Sequence, residues 1–273
     1  MGKIISLANQ KGGVGKTTTA VNLAASIAMD GYSVLIVDCD PQGNASSGLG
    51  IERRKLSYCT YNLIIDKIAP AKIIKKTVVK NLSILPSTIQ LAGAEVELAG
   101  AEDRENRIRQ ALNDVVDSYD YIFLDCPPSL GFLTINALTA SNSVIIPLQC
   151  EYYALEGLSL LIDTIMRVRK RFNQMLSIEG IVFTMFDGRT NLSIQVVDEV
   201  KRHFSNQVYR TIIPRNVRLS EAPSHGKPVV VYDPRSKGAE VYKELAREVL
   251  ERGQEREGFG PRFRSFIFGE RGK

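Results

Sequence analysis

The clearest chemical signal in the chain is a glycine-rich loop, NQKGGVGKTT, at residues 9–18. An apolar run precedes it and a helical pattern follows it. Glycines let successive backbone N–H groups approach an anion, and the N-terminus of the following helix adds a partial positive charge. Lys16 is placed to pair with the β- and γ-phosphates of a nucleotide, and the Thr17 hydroxyl to bind Mg²⁺. The loop therefore predicts a nucleoside triphosphate site rather than a simple turn between strand and helix.

Three acidic residues follow apolar runs that have the character of strands. Asp38 and Asp40 follow the run at residues 34–37, and Asp125 ends the run YIFLD. Carboxylates at the carboxyl ends of strands face the ligand crevice of an open α/β sheet. Asp125 is therefore a candidate to hold Mg²⁺ through water. Of the other two acids, we expect only one to face the γ-phosphate easily.

Short apolar runs alternate with segments of helical period, which gives the elements that must position these residues. The predicted strands are residues 4–8, 34–38, 82–85, 121–125, 144–147 and 181–183, and the predicted helices are residues 16–29, 155–172 and 238–252. Several strands are continuously apolar, as expected where helices cover both faces of a sheet. The alternation predicts an α/β fold with a mostly parallel, doubly wound sheet.

The composition is that of a soluble globular protein. Of 273 residues, 44% are apolar and 24% charged, with a net charge of +5, which excludes general disorder, a fibre and a membrane bundle. The longest uncharged stretch, residues 126–150, contains three prolines and two asparagines, unlike a membrane-spanning helix. Four widely spaced cysteines predict reduced thiols rather than a disulfide framework. With no signal-peptide pattern at the start, we expect a cytoplasmic protein.

The loop departs from the general phosphate-loop pattern in an informative way. Gln10 stands where that pattern has glycine, and Lys11 is an additional lysine. The form KGGVGKT resembles the deviant Walker A motif of the ParA/MinD ATPases, a group of P-loop NTPases. Four further segments resemble the chromosomal ParA type called Soj: VDCDPQGN, DCPPSLG, PLQCEYYALEG and PRNVRLSEAPS. The likeness covers residues 1–252, and we expect residues 253–273 to form a flexible basic and aromatic tail.

The resemblance implies an ATP hydrolase that needs Mg²⁺ and is slow without a partner. In this family, ATP drives formation of a sandwich homodimer that binds DNA without sequence preference and is therefore nucleoid-associated. A ParB-type protein stimulates hydrolysis and releases the dimer. By resemblance, Lys11 reaches the partner subunit's nucleotide, Asp40 orients the attacking water and meets Mg²⁺ through water, and Asp38 holds the loop and the Mg²⁺ water shell.

The remaining site residues also follow from the resemblance. Nucleotide contacts fall to Lys11, Gly12, Gly13, Val14, Gly15, Lys16, Thr17 and Thr18, with Met185 and Pro214 at the base. Met185 is predicted to lie against the purine, although a methionine after a strand is equally typical of a core. Members of this type use basic residues at the positions of Arg189 and Arg218 to bind DNA. The arginine-rich run at residues 167–171 fits either a DNA contact or a solvated helix face.

Two other functions compete with DNA segregation. A MinD-type membrane-positioning ATPase would use an amphipathic C-terminal helix, but Gly260 and Pro261 limit helix length there, so membrane contact is the weaker prediction. A metal-cluster or reductase-type ATPase would need paired cysteines. Cys39 and Cys126 lie next to the site acids in sequence, and we interpret them as small buried residues.

Overall fold

The apolar runs of the sequence form one seven-stranded sheet at the centre of the molecule. The computed structural model describes residues 2–258, with side chains as far as Gly253. The strands are β1 (Lys3–Leu7), β2 (Val34–Asp38), β3 (Lys75–Lys76), β4 (Leu82–Leu85), β5 (Tyr121–Asp125), β6 (Ser143–Gln149) and β7 (Ser177–Thr184). Their order is β3-β4-β2-β5-β1-β6-β7, and all pairings are parallel except that of β3 with β4. The predicted α/β class and mostly parallel sheet are confirmed.

Helices cover both faces of this sheet. They are α1 (Lys16–Met29), α2 (Asn44–Gly48), α3 (Thr60–Ile64), α4 (Pro70–Ile73), α5 (Ala94–Glu97), α6 (Arg107–Leu112), α7 (Phe132–Ala140), α8 (Ala154–Arg171), α9 (Asn191–Phe204), α10 (Val217–Glu221), α11 (Val229–Tyr232) and α12 (Lys237–Gly258). The three predicted helices correspond to α1, α8 and α12. No helix among the described residues is long and apolar enough to cross a membrane.

Successive residues of the central strands enter two separate cores. Ile4 packs on the face covered by α7 and α8, whereas Ile5 packs on the face covered by α1 and α12. Ile122 and Phe123 of β5 divide in the same way. Because side chains alternate along a strand, both kinds of position must be apolar when both faces are covered. This double burial explains the continuous apolar runs and fixes the carboxyl ends of β1, β2 and β5 beside one another.

The C-terminal helix runs further than its predicted end. α12 continues to Gly258, six residues past Arg252, where the predicted tail was expected to begin. Tyr242, Leu245 and Val249 of this helix are buried against α1 and the sheet. The rest of the predicted tail, residues 259–273, lies outside the described residues.

Candidate functional site

The glycine-rich loop joins the carboxyl end of β1 to the first turn of α1, as the sequence predicts. Gly13 and Gly15 have φ values of 75° and 86°, in the left-handed region that glycine adopts most readily. The Thr184 hydroxyl, at the end of β7, donates a hydrogen bond to the Val14 carbonyl at 2.8 Å. Residues 170 positions apart therefore hold the loop in its shape, with its backbone N–H groups at the N-terminus of α1.

Asn9 is a positioning residue that sequence reasoning missed. Its side-chain amide donates to the Pro147 carbonyl at 2.7 Å, and its side-chain oxygen accepts from the Lys11 backbone N–H at 3.0 Å. Asn9 is buried, so both bonds are shielded from water. The amide thus ties the start of the loop to β6. The only sequence signal is a polar residue directly after a buried strand.

Lys16 is buried at the floor of the site, with 6% of its surface exposed. Its Nζ donates to the Lys11 carbonyl at 2.9 Å, which aims the ammonium group across the loop. Burial lowers the pKa of Lys16, and the nearby carboxylates of Asp125 and Asp40 act against that shift. A charged amine held this way is ready to meet phosphate oxygens without reorganising.

Asp38 holds the segment that follows β2. Its carboxylate accepts hydrogen bonds from the Ser46 backbone N–H at 2.8 Å, the Ser46 hydroxyl at 2.6 Å and the Asp40 N–H at 3.2 Å. Burial raises the pKa of Asp38 to about 6, although these donors favour the charged form. Asp38 therefore has the geometry predicted for holding the loop, while its part in a Mg²⁺ water shell stays a prediction.

Asp40 lies nearer to the space a nucleotide would fill. It lines the same cavity as Lys16 and Thr17, and its Oδ1 accepts from the Gln42 N–H at 2.8 Å. This backbone bond fixes the carboxylate in a tight turn after β2. A carboxylate held at the cavity wall by one oxygen is suited to orienting water with the other.

Asp125 provides the strongest structural fit to a cation. It is fully buried, and neither carboxylate oxygen has a hydrogen-bonding partner at bonding distance among the described residues. Burial raises its pKa well above the ordinary value and neighbouring Asp38 adds to the rise, while the Thr17 hydroxyl and Lys16 lower it. An orphaned carboxylate beside a hydroxyl suits Mg²⁺ held by Thr17 directly and by Asp125 through water.

The protein side chains do not form a complete metal cage. Within residues 2–258, no group of three or more His, Cys, Asp or Glu side chains could hold a metal ion. Mg²⁺ prefers six oxygen ligands and keeps several waters, so it commonly relies on substrate phosphates. The donor set therefore fits a cation that arrives with a nucleotide.

Two adjoining cavities meet at the start of α1. The larger, of about 390 Å³, contains the loop residues Gly12, Gly13, Gly15, Lys16, Thr17 and Thr18 in its wall, with Asp40. The smaller, of about 230 Å³, is lined by residues including Met185 and Pro214. Met185 reaches both cavities and is half-buried, so it is a cavity residue rather than a core residue. Its contact with a base stays a prediction.

The backbone joins the two segments at the smaller cavity. The Phe186 N–H donates to the Ile213 carbonyl at 3.1 Å, and Phe186 and Pro214 form an isolated parallel bridge. Met185 has a φ of 50°, which is uncommon for a non-glycine residue and marks a position that its surroundings determine. Residues 185–190, which follow β7, and residues 213–221, which run into and through α10, thus form one connected wall.

Lys11 lies at the mouth of the site, where its side chain is 41% exposed. Its Nζ forms an ion pair with Glu151 of the same subunit. The sequence does not reveal this pair, because Lys11 and Glu151 are 140 residues apart. The predicted contact of Lys11 with a partner subunit requires this pair to open.

The two predicted DNA-binding arginines lie on the connected wall, and neither lines the larger cavity. Arg189 follows β7, and Arg218 is in α10. Both side chains are exposed, and both are paired with acids: Arg189 with Asp187, and Arg218 with Glu221 and Asp233. Both arginines therefore lie on the surface with their charges already partnered, and their contact with DNA stays a prediction.

The cysteines have the buried, inert character that the sequence predicts for them. All four are buried, including Cys39 and Cys126 beside the acids. Burial raises the pKa of the Cys126 and Cys150 thiols to about 12, and that of Cys39 well above its ordinary value. Neutral, enclosed thiols do not suit a metal cluster shared between subunits.

Comparisons with known proteins agree with this geometry. A family profile described as an AAA domain matches residues 2–178. The sporulation initiation inhibitor protein Soj of Bacillus subtilis is 62% identical over 253 residues, covering 93% of this chain and 100% of that protein. The chromosome-partitioning ATPase Soj of Treponema pallidum is 52% identical over 256 residues, covering 94% and 100%. The chain belongs to the Soj/ParA family of chromosome-partitioning ATPases.

A solved structure extends the likeness of this ParA-family chain to three dimensions. Cobyrinic acid a,c-diamide synthase from Mycobacterium smegmatis, with bound ADP and magnesium, superposes with a TM-score of 0.82 at 35% identity. The match covers 93% of this chain and 96% of that one. The relatives named above favour segregation over the MinD-type alternative.

Proposed function

We propose that this ParA-family chain is a Mg²⁺-dependent ATPase switch for chromosome or plasmid segregation. With ATP, two subunits form a sandwich homodimer that binds DNA without sequence preference in the cytoplasm, on the nucleoid. A ParB-type centromere-binding protein stimulates hydrolysis, and the dimer then leaves the DNA. Family membership supports the ATPase activity, and the geometry of the two cavities supports the coupling of nucleotide to DNA.

The phosphate loop and its neighbours hold the nucleotide. Backbone N–H groups of the loop and the N-terminus of α1 receive the phosphates, and Lys16 pairs with the β- and γ-phosphate oxygens. Thr17 and Asp125 hold Mg²⁺, which when bound neutralises charge on the phosphates. Met185 and Pro214 enclose the base in the smaller cavity. The preformed loop supports this arrangement, since its donors need little movement to bind an anion.

Hydrolysis requires an oriented water and added positive charge. Asp40 orients the water for attack on the γ-phosphate, and its fixed position at the cavity wall supports that role. Lys11 exchanges Glu151 for the phosphates of the partner subunit's nucleotide. Its exposure at the mouth of the site supports contact across an interface. Hydrolysis would then be tied to dimer formation.

One observation carries the link between nucleotide and DNA. The two segments that line the base cavity are the two that carry the arginines: Arg189 lies four residues after Met185, and Arg218 four residues after Pro214. The Phe186–Ile213 hydrogen bond connects these segments. A base in the cavity therefore acts on the backbone that positions both arginines.

Co-sedimentation tests the proposal with the full chain. DNA fragments and anionic liposomes are each incubated with the protein in ATP, in ADP and without nucleotide. We expect the protein to pellet with DNA in ATP only, because the dimer doubles the cations on one surface. Equal DNA binding with ATP, with ADP and without nucleotide would contradict the proposed switch. ATP-dependent liposome binding without DNA binding would favour the MinD-type function.

A further inference from the structure

The ion pair between Arg189 and Asp187 occupies the Nε–Nη2 face of the guanidinium, one of the two-pronged donor faces that can bind a phosphate. Arg189 donates through Nε to Asp187 Oδ1 at 2.8 Å and through Nη2 to Oδ2 at 2.6 Å. The arginine side chain is 89% exposed, so solvent and DNA reach it readily. A carboxylate and a phosphate bind the same two-pronged donor face. DNA can therefore use that face only when Asp187 gives it up.

Arg218 has the same kind of arrangement on α10. Its Nη1 donates to Glu221 Oε2 at 2.8 Å, and its Nε lies 3.1 Å from Asp233 Oδ2. The Tyr232 hydroxyl donates to the same Glu221 oxygen at 3.3 Å, which helps to keep that carboxylate in place. Two acids thus hold the second arginine.

Part of the positive charge on the connected wall is already paired with acids. A third arginine, Arg215, is exposed, lines the base cavity and has no ion pair among the described residues. The hydrogen bonds from Arg189 and the charge of Arg215 lower the pKa of Asp187 to about 2, so that acid stays charged at neutral pH. Asp187 thus pairs with Arg189, and Glu221 and Asp233 pair with Arg218, while Arg215 keeps no ion pair among the described residues.

We propose that Asp187 and Glu221 are internal counterions that compete with DNA phosphates for Arg189 and Arg218 and so limit DNA affinity. This inference rests on the proposed DNA binding. An arginine that binds DNA through the donors its carboxylate occupies exchanges that carboxylate for a phosphate, and the carboxylate can return as soon as the phosphate leaves. The exchange makes binding weak enough to reverse after hydrolysis.

The expected effect can be sized from exposed ion pairs. For such a pair, the equilibrium constant favours the paired arginine over the free one by a factor of about two to five. A dimer presents each arginine twice, so removing one carboxylate charge tightens DNA binding by about four- to twentyfold. The gain is largest at low salt, because screening weakens both the internal pair and the phosphate contact.

Two isosteric variants of the full chain test the proposal, Asp187→Asn and Glu221→Gln. Each replaces one carboxylate oxygen by an amide NH2 and so removes the charge with little change of shape. In Asp187→Asn the remaining oxygen can still accept from the Arg189 backbone N–H, which lies 3.1 Å from Asp187 Oδ1. The matched control is Glu251→Gln, which removes the same charge from the Arg210–Glu251 pair at 3.2 Å. Glu251 suits as a control because it lies far from α10. Gly238, near the start of α12, lies beside Leu219 of α10, and Glu251 is 13 residues further on, about 20 Å along the helix.

DNA dissociation constants are measured with ATP over a range of salt concentrations, and light scattering checks that each variant dimerises. We expect Asp187→Asn and Glu221→Gln to bind DNA more tightly than both wild type and Glu251→Gln. Adding Arg189→Ala to Asp187→Asn should remove the gain. If Asp187→Asn does not fold by circular dichroism, Glu221→Gln decides alone.

Two different failures have different meanings. Affinities of both variants equal to that of Glu251→Gln, or below that of wild type, would overturn the counterion role and leave the proposed function standing. Lower affinity would mean that the acids orient the arginines toward DNA. A wild-type protein that does not bind DNA in ATP would instead overturn the proposed function and this inference with it.

Discussion

The phosphate loop and the arginine-bearing wall are both candidate phosphate sites, yet the protein builds them in opposite ways. In the loop, backbone groups and the buried Lys16 face a cavity, and the buried Asp125 carboxylate lies near only the Thr17 hydroxyl and the Lys16 ammonium as favourable neighbours. On the wall, exposed arginines already hold carboxylates. A buried, preformed site favours tight and specific binding, whereas an exposed, prepaired one favours weak and salt-dependent binding. The difference matches one site that must retain a nucleotide with another that must release DNA.

Removing Lys16 should have the largest effect, because it breaks the buried site. Lys16→Ala deletes the charge opposite the β- and γ-phosphates and leaves Asp125 and Asp40 without their nearest cation. We expect nucleotide binding to fall by at least about 100-fold, and DNA binding to disappear with it. Isothermal titration calorimetry with ATP measures this. Near-normal affinity would disprove the assignment of the phosphate loop.

Asp40→Ala should separate binding from chemistry within the buried site. The carboxylate acts on the water rather than on the bound nucleotide, so ATP affinity should change little. Hydrolysis should fall by about 100-fold or more, the usual contribution of a positioned acid or base. The variant should accumulate as an ATP-bound dimer that stays on DNA. Normal phosphate release would show that Asp40 is not the water-orienting acid.

Lys11 belongs to neither class of site, since it is a loop residue with an exposed ion pair. Lys11→Ala should bind ATP as a monomer, because its proposed phosphate contact lies in the partner subunit. Gly12→Val should do the same, because a bulky side chain at this exposed position should block the close approach of two subunits. A Cβ at Gly12 would lie 3.7 Å from Pro128 Cβ, an ordinary contact within the subunit itself.

Size-exclusion chromatography with light scattering in ATP measures both variants. Lys237→Ala is the control, because Lys237 is an exposed lysine paired with Glu240 in its own subunit. It should dimerise like wild type. If Lys11→Ala dimerises like wild type, the proposed contact of Lys11 with the partner subunit's nucleotide is wrong.

The sequence predicts well what is local and predicts poorly what is joined across the chain. The loop, α1 and the strand-end acids depend on short patterns, and six of the strands follow from apolar runs. Strand β3 was missed because two exposed lysines carry no strand pattern. The partner of Lys11 lies 140 residues away, and the Asn9–Pro147 bond spans 138 residues. Such pairs depend on which strands are neighbours, which periodicity does not reveal.

The surface chemistry of the arginines was the least predictable part of the site. Arg189 and Arg218 were identified by resemblance, but the acids that neutralise them were not. Asp187 is two residues from Arg189 and could have been noticed, since arginine and aspartate at that spacing in a turn often pair. Asp233 meets Arg218 only because α10 and α11 pack together. Net charge alone, +5 for the chain, therefore overstates how much positive charge the wall offers to DNA.

The smallest effects should come from the arginines themselves, because each exchanges one partner for another. Arg189→Ala and Arg218→Ala should each weaken DNA binding similarly for all sequences, and the log–log salt slope should fall by about 0.9 for each phosphate that the variant no longer neutralises. ATP affinity and dimerisation should persist, since neither residue lines the larger cavity or contacts the phosphate loop. Fluorescence anisotropy with two unrelated DNA duplexes at several salt concentrations measures the slope.

Truncation after Gly258 is the comparison, because it leaves α12 and both arginines in place and should preserve DNA binding. If the truncation abolishes liposome binding while both arginine variants keep full DNA affinity, the wall is not a DNA surface and the membrane-positioning function moves ahead.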